Sequence, residues 1–196
     1  MAAEGGGRTL YRSLALGVLL FLLLQPLTIV SGAAPSAETP NRVKVAFIRN
    51  FAHYVAWPDN PADLNTPWRI GILGKDPLGE VMEKLLKGRT ERDRTFEVYQ
   101  ADSLAALPPC QIIYITYRDA ALRRAALAAL QQKPVLTVGD ASTFLQEGGI
   151  IRFDVGERMR MSINLDQARA VSLNIPTQML EVSTEVVENG RVRKVR

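Results

Sequence analysis

The side chains best suited to covalent or acid–base chemistry occur once each in this chain: one cysteine, Cys110, and one histidine, His53. A cysteine nucleophile needs a neighbouring base, and His53 is the sole imidazole that could serve. Its surroundings, Phe47-Ile-Arg-Asn-Phe-Ala-His-Tyr54, read as an aromatic helix face. Cys110 opens the apolar run CQIIYIT, where a thiol behaves as a small hydrophobe. A lone cysteine closes no internal disulfide, and one of each residue makes no Cys/His metal cluster. No Asp/Glu loop has the spacing of a calcium site, and no Gly-x-Ser-x-Gly elbow is present. The nearest approach to a phosphate loop is Gly71-Ile-Leu-Gly-Lys-Asp-Pro-Leu-Gly79. There Lys75 is followed by Asp76 instead of Ser or Thr, and an Asp side chain would occupy the helix-terminal amides an anion requires. These residues predict a capped helix, and a chain with no catalytic, cofactor or metal site.

Two segments favour binding instead. Residues 47–57 gather Phe47, Phe51, Tyr54 and Trp57, of which Trp and Tyr are preferred interface anchors. The simpler reading is that this strip docks the first helix on a sheet. The second segment is Arg158 to Asp166, where Arg158, Arg160 and Ser162 alternate with Met159, Met161 and Ile163. As the edge of a sheet it would offer a basic face. Arg158, Arg160, Ser162, Asn164, Asp166 and Trp57 are therefore the candidate partner-binding residues.

The elements that must carry these residues follow from periodicity. Residues 1–33 read as a secretory signal: Arg8 and Arg12 precede the apolar run Leu14 to Leu24, and Ser31-Gly-Ala33 supplies small residues before cleavage after Ala33. No cysteine stands at that site, which excludes a lipoprotein. The leader places the protein in the periplasm. It contributes one of the four net positive charges, leaving three on the exported chain. Much of the remainder lies in the basic tail, residues 188–196, which reads as a solvated end or as a weak attraction to anionic lipid. The other charges are mixed, and no nucleic-acid recognition motif appears.

With 47% hydrophobic and 22% charged residues in 196, the composition is that of one folded domain. After a linker (34–40), Asn41 caps a helix to about Val55, ended before Trp57-Pro58. A loop fills residues 59–67. Strands are expected at Trp68–Leu73, Thr95–Tyr99, Cys110–Thr116 and Val135–Val138. Helices are expected from Asp76-Pro77 to Gly88, over Asp102–Leu107 as one turn, over Asp119–Gln132, and around Phe144 and Leu145. Ile150–Val155 and Arg158–Asn164 flank Gly156-Glu157 as a hairpin. Asp166–Val171 is helical, and Pro176 opens a last helix to about Val187. Alternating strands and helices predict an α/β/α sandwich: a mostly parallel sheet with an antiparallel edge hairpin and helices on both faces, over residues 41–187.

Several of these segments, in order and spacing, resemble the YfiR/HmsC-like family of periplasmic proteins. They are Ala46-Phe-Ile-Arg-Asn-Phe-Ala52 with Trp57-Pro58, the Ile70 to Gly79 stretch, Leu107-Pro-Pro-Cys110-Gln-Ile-Ile-Tyr-Ile115 and Pro134 to Asp140. Phe144 with Gly148-Gly-Ile-Ile151 and Ile163-Asn-Leu-Asp166 complete the set. The resemblance implies a non-enzymatic regulator that binds an inner-membrane signalling protein. In well-known members this is a diguanylate cyclase with a periplasmic sensing domain, whose restraint lowers cyclic di-GMP and biofilm formation. Two departures stand out: those members carry further cysteines that form disulfides, and the family often places His where this chain has Gln111. The alternative is a small-molecule sensor feeding a membrane kinase or cyclase, its ligand near Trp57 or Trp68. A homodimer stays open as a further mode of association.

Overall fold

The computed structural model describes residues 38–58 and 66–195, all within one compact unit. The expected leader with its cleavage point, the start of the linker and residues 59–65 of the loop lie outside the described residues. Helix α1 (Glu38–Tyr54) begins three residues before the expected Asn41 cap, so the end of the linker is helical. Its buried residues Val45, Ile48, Phe51 and Ala52 recur at helical spacing, and Val55 continues the row past the helix end. Beyond α1 the chain turns extended, and Ala56 bridges Asn174 through amide–carbonyl contacts of 3.0 and 2.9 Å.

Among the described residues nine strands make one sheet in the order β2-β3-β1-β4-β5-β6-β7-β8-β9. They are β1 (Trp68–Leu73), β2 (Thr90–Glu91), β3 (Arg94–Ala101), β4 (Ile112–Ile115), β5 (Leu136–Gly139), β6 (Ile151–Asp154), β7 (Arg160–Asn164), β8 (Glu185–Glu188) and β9 (Arg191–Lys194). Five of the eight neighbouring pairs are parallel, and β2–β3, β6–β7 and β8–β9 are antiparallel. Every residue of β4 (IIYI) and of β5 (LTVG) is buried, as expected of central parallel strands covered on both faces.

Helices cover both faces. Alpha-helices α1, α2 (Leu78–Leu86), α4 (Leu165–Ala170) and α5 (Thr177–Glu181) share one core with Ile70, Ile112, Tyr114 and Phe153. Phe153 anchors α1 there, with ring centroids 5.6 Å from Phe47 and 6.0 Å from Phe51. On the opposite face α3 (Ala120–Leu130) packs Ala126, Leu127 and Leu130 on Leu73, Ile113 and Ile115. Asp119 caps α3, accepting from the amides of Ala121 and Leu122 at 2.6 and 3.1 Å.

Several expectations are corrected. Residues 142–148 form consecutive turns, not a helix, and the Asp140 carboxylate ahead of them accepts from Lys44 and Tyr114. The last helix stops at Glu181, because β-branched Val186 and Val187 join the sheet as β8. The basic tail keeps its side chains exposed but is a strand: Arg191–Lys194 pairs with β8 through an Asn189-Gly190 turn, both residues at positive φ (54° and 69°). The domain therefore runs to β9. The hairpin around Gly156-Glu157 has a longer loop, residues 155–159, than a two-residue turn. Most consequential for the site, β7 lies between β6 and β8, so it is not an edge; the antiparallel hairpins β2–β3 and β8–β9 close the two ends of the sheet.

Candidate functional site

A half-open cleft of about 540 Å³ lies where the Trp57-Pro58 segment, the start of β1 and the loop leading into β4 converge. Proline at 108, 109 and 134 keeps the segments feeding β4 and β5 out of regular structure. The approach to β4 therefore stands off the sheet and leaves a depression over β1. Gly71 is covered by the side chains of this approach: a Cβ there would come within 2.9 Å of Leu107 Cδ1 and 3.3 Å of Cys110 Sγ, so a larger residue would push these side chains outward. Leu104, Leu107, Ile113, Leu130 and Val135 supply apolar wall.

The amide of Arg69 donates to Gln111 Oε1 at 2.8 Å, which commits the carboxamide oxygen. Arg69 Nε donates to Glu97 Oε2 at 3.4 Å, and Tyr99 donates to the same oxygen at 2.7 Å. The indole of Trp57 packs 5.1 Å from that of Trp68, tilted by 56°. Trp68 donates to the carbonyl of Glu91 at 2.9 Å, whereas Trp57 Nε1 is buried with no partner among the described residues.

Cys110 lines this cleft and is 7% exposed. Burial pushes its thiol up to about 11, against the pull of the Arg69 charge, so it is held protonated. Its S–H donates to the carbonyl of Pro108 at 3.2 Å. His53 meets a different partner: its Nδ1 lies 2.6 Å from Glu91 Oε1. No thiol–imidazole pair forms. The glycine run before α2 also serves packing and capping: Asp76 Oδ1 accepts from the Leu78 amide at 2.8 Å, with Pro77 one position ahead of the helix instead of inside it.

The polar face of β7 is mostly consumed internally. Ser162 is fully buried; its hydroxyl donates to Asp154 Oδ2 at 2.6 Å and accepts from Arg152 Nη2 at 3.2 Å. The same Arg152 nitrogen reaches Glu185 Oε2 at 3.2 Å, binding β6, β7 and β8 together. Asn164 caps α4, accepting from the Gln167 amide at 2.9 Å and donating to the carbonyl of Leu145 at 3.2 Å. Asp166 accepts from the amides of Asn189 and Gly190, both at 2.8 Å, and these bonds hold its carboxyl below the usual range. Arg158 and Arg160 are exposed. Of the six residues singled out by sequence, the structure therefore leaves Arg158 and Arg160 facing solvent, places half-buried Trp57 at the cleft, and uses Ser162, Asn164 and Asp166 as internal ties.

Sequence reasoning missed the cleft itself and a second polar knot. Lys44 on α1, 8% exposed in its side chain, donates to Tyr114 Oη at 2.8 Å and to Asp140 Oδ2 at 3.0 Å. Tyr114 donates to that carboxylate at 3.0 Å. Desolvation, reinforced by the Asp140 charge, raises the Tyr114 phenol. The three groups satisfy one another and pin α1 to the ends of β4 and β5. Among the described residues, no group of three or more His, Cys, Asp or Glu is placed to hold a metal, and no helix is long and apolar enough to cross a membrane.

Fold and surfaces together define a small α/β/α domain with a half-open cleft and two exposed arginines, Arg158 and Arg160. The model of the YfiR/HmsC-like family matches residues 41–184, from α1 to the residue before β8. The chain belongs to that family. Comparison with curated proteins gives no match.

Proposed function

We propose that the protein is an exported, non-catalytic regulator that binds an inner-membrane signalling protein and holds it in an inactive conformer. The partner is a diguanylate cyclase with a periplasmic sensing domain, and binding lowers cyclic di-GMP. The observation that carries this reading is the family match across residues 41–184, which covers nearly the whole described domain. Export rests on the leader-like composition of residues 1–33. The separate engagements of Cys110 and His53 agree with action by surface instead of by bond making.

Such a regulator need only prefer one conformer of its partner; a hundredfold preference corresponds to about 2.8 kcal/mol. Arg158 and Arg160 provide an exposed contact that no internal bond requires. The test is reconstitution: a cyclase with a periplasmic domain from the same bacterium, set in proteoliposomes, with this protein added at the periplasmic face. Saturable loss of GTP conversion to cyclic di-GMP is expected. Unchanged turnover across all such cyclases of that bacterium would overturn the reading.

A further inference from the structure

We propose that the outer edge of β3 is a self-association surface, on which a second copy of this chain pairs antiparallel about a twofold axis at Val98. The inference goes beyond the regulatory reading and does not depend on it. Strand β3 runs from Arg94 to Ala101, but its outer neighbour β2 covers only Arg94 and Thr95. On the inner side β1 pairs with Phe96 through Ala101. The Ala101 carbonyl points to that inner side, where it accepts from the Gly74 amide at 2.8 Å. Backbone groups alternate between the two sides of a strand, so Phe96, Val98 and Gln100 turn their amides and carbonyls outward. Among the described residues no strand pairs with them there.

Natural sheets blunt such edges with charge, proline or a bulge. The other end of this sheet is blunted in that way: β9 is RVRK, and every residue of it is exposed. Phe96 to Ala101 (FEVYQA) has neither lysine nor proline, and its one charge, Glu97, accepts from Arg69 and Tyr99 of the same chain. Phe96 and Val98 are half-buried at the rim of the core, as are Val81 and Leu85 of α2. The apolar layer on that face therefore ends half-covered where the backbone is unpaired.

This edge is complementary to itself. With Val98 on the axis, Val98 faces Val98, Phe96 faces Gln100 and Glu97 faces Tyr99, so no like charges meet. Each outward amide then finds a carbonyl of the other copy, and each outward carbonyl an amide. The axis stands perpendicular to the sheet, so the same face of both copies meets and the two half-buried rims adjoin. Pairing through β9 would instead set arginines and a lysine against one another. Joining β3 of one copy to β9 of the next gives an open chain, not a closed pair.

Sedimentation velocity over a concentration series, with hydrogen exchange on the same purified protein, tests this. A reversible dimer is expected, and exchange at the Phe96, Val98 and Gln100 amides should slow by about tenfold or more as it forms. The Val195 amide bonds inward to Thr184, so Val192 and Lys194 present the outward amides of β9; these should keep one rate throughout. Val98→Pro removes an outward donor and no bond to β1, and should give a folded monomer. If that variant does not fold, exchange on the parent decides alone. A monomer at every concentration, a dimer in which the three amides exchange no more slowly, protection of them already present in the monomer, or a folded Val98→Pro variant that still dimerises would each overturn the proposal.

Discussion

Arg123 on α3 grips Glu147 at two points, Nε to Oε2 and Nη2 to Oε1, each 2.7 Å, with both side chains less than a tenth exposed. Arg123 Nη1 also donates to the carbonyls of Tyr117 and Arg118 at 2.9 and 2.7 Å, and Thr143 Oγ1 donates to Glu147 at 2.7 Å. The turns over 142–148 have no strand ladder to fix them. This fork does so, tying them to the helix on that face of the sheet.

Removing one end of the fork strands the other. Glu147→Ala should cost about 3 kcal/mol, because a buried guanidinium loses its counter-charge. Urea unfolding measures it. A midpoint equal to that of the parent would show that the pair contributes nothing.

Acid should act through the same pair. The Arg123 guanidinium holds the Glu147 carboxyl below its ordinary value of 4.5. The contribution is thus complete above that value and is lost as pH falls through the lower, folded-state value. Asp166, lowered by the Gly190 and Asn189 amides, works in the same direction. Stability of the parent should fall on acidification below the ordinary carboxylate range, and Glu147→Ala should flatten that fall. Parallel pH profiles for the two would contradict the assignment.

Cys110 should be slow to react. With its thiol at about 11, the thiolate fraction at pH 8 is about one thousandth. Alkylation by iodoacetamide should be far slower in the folded protein than in urea. Equal rates would mean that the thiol is neither buried nor protonated as described.

Much of the sheet was legible in the sequence because its central strands are continuous apolar runs: WRIGIL and IIYI fall where expected, and Asp119 announces α3. The C-terminal third was harder for a physical reason. Val182, Val186 and Val187 fit an apolar helix stripe as well as a strand, and only the sheet partner decides between them. The deciding local signal was Asn189-Gly190, a dipeptide suited to a two-residue hairpin turn. In β2–β3 the equivalent turn is built from Arg92 and Asp93, at φ 49° and 61°, residues that give little turn signal. Ser162, Asn164 and Asp166 alternate as an exposed face would, yet β8 and α4 claim them. The cleft had no sequence signature, since its lining comes from segments brought together only by strand order.

The Asn189-Gly190 turn gives a direct check on β9. Gly190→Ala forces a Cβ into left-handed backbone and should cost about 1 kcal/mol. The same substitution should lower hydrogen-exchange protection of the β8 and β9 amides before other strands. Unchanged protection there would mean that β9 does not pair as found.

Arg158→Glu with Arg160→Glu should abolish partner restraint while moving stability by no more than about 0.5 kcal/mol, because both side chains are exposed. Binding and thermal unfolding measured on the same preparation separate the two effects. Full restraint by the stable double variant would remove this surface from the contact.

The regulatory reading is tested most directly by cyclic di-GMP itself. Its level should be measured in the source bacterium with the gene intact, deleted, and restored with or without residues 1–33. Deletion should raise the level, and only the form carrying its leader should return it to the starting value. A level unaffected by deletion, or restored equally by the leaderless form, would contradict an exported restraint on a membrane cyclase.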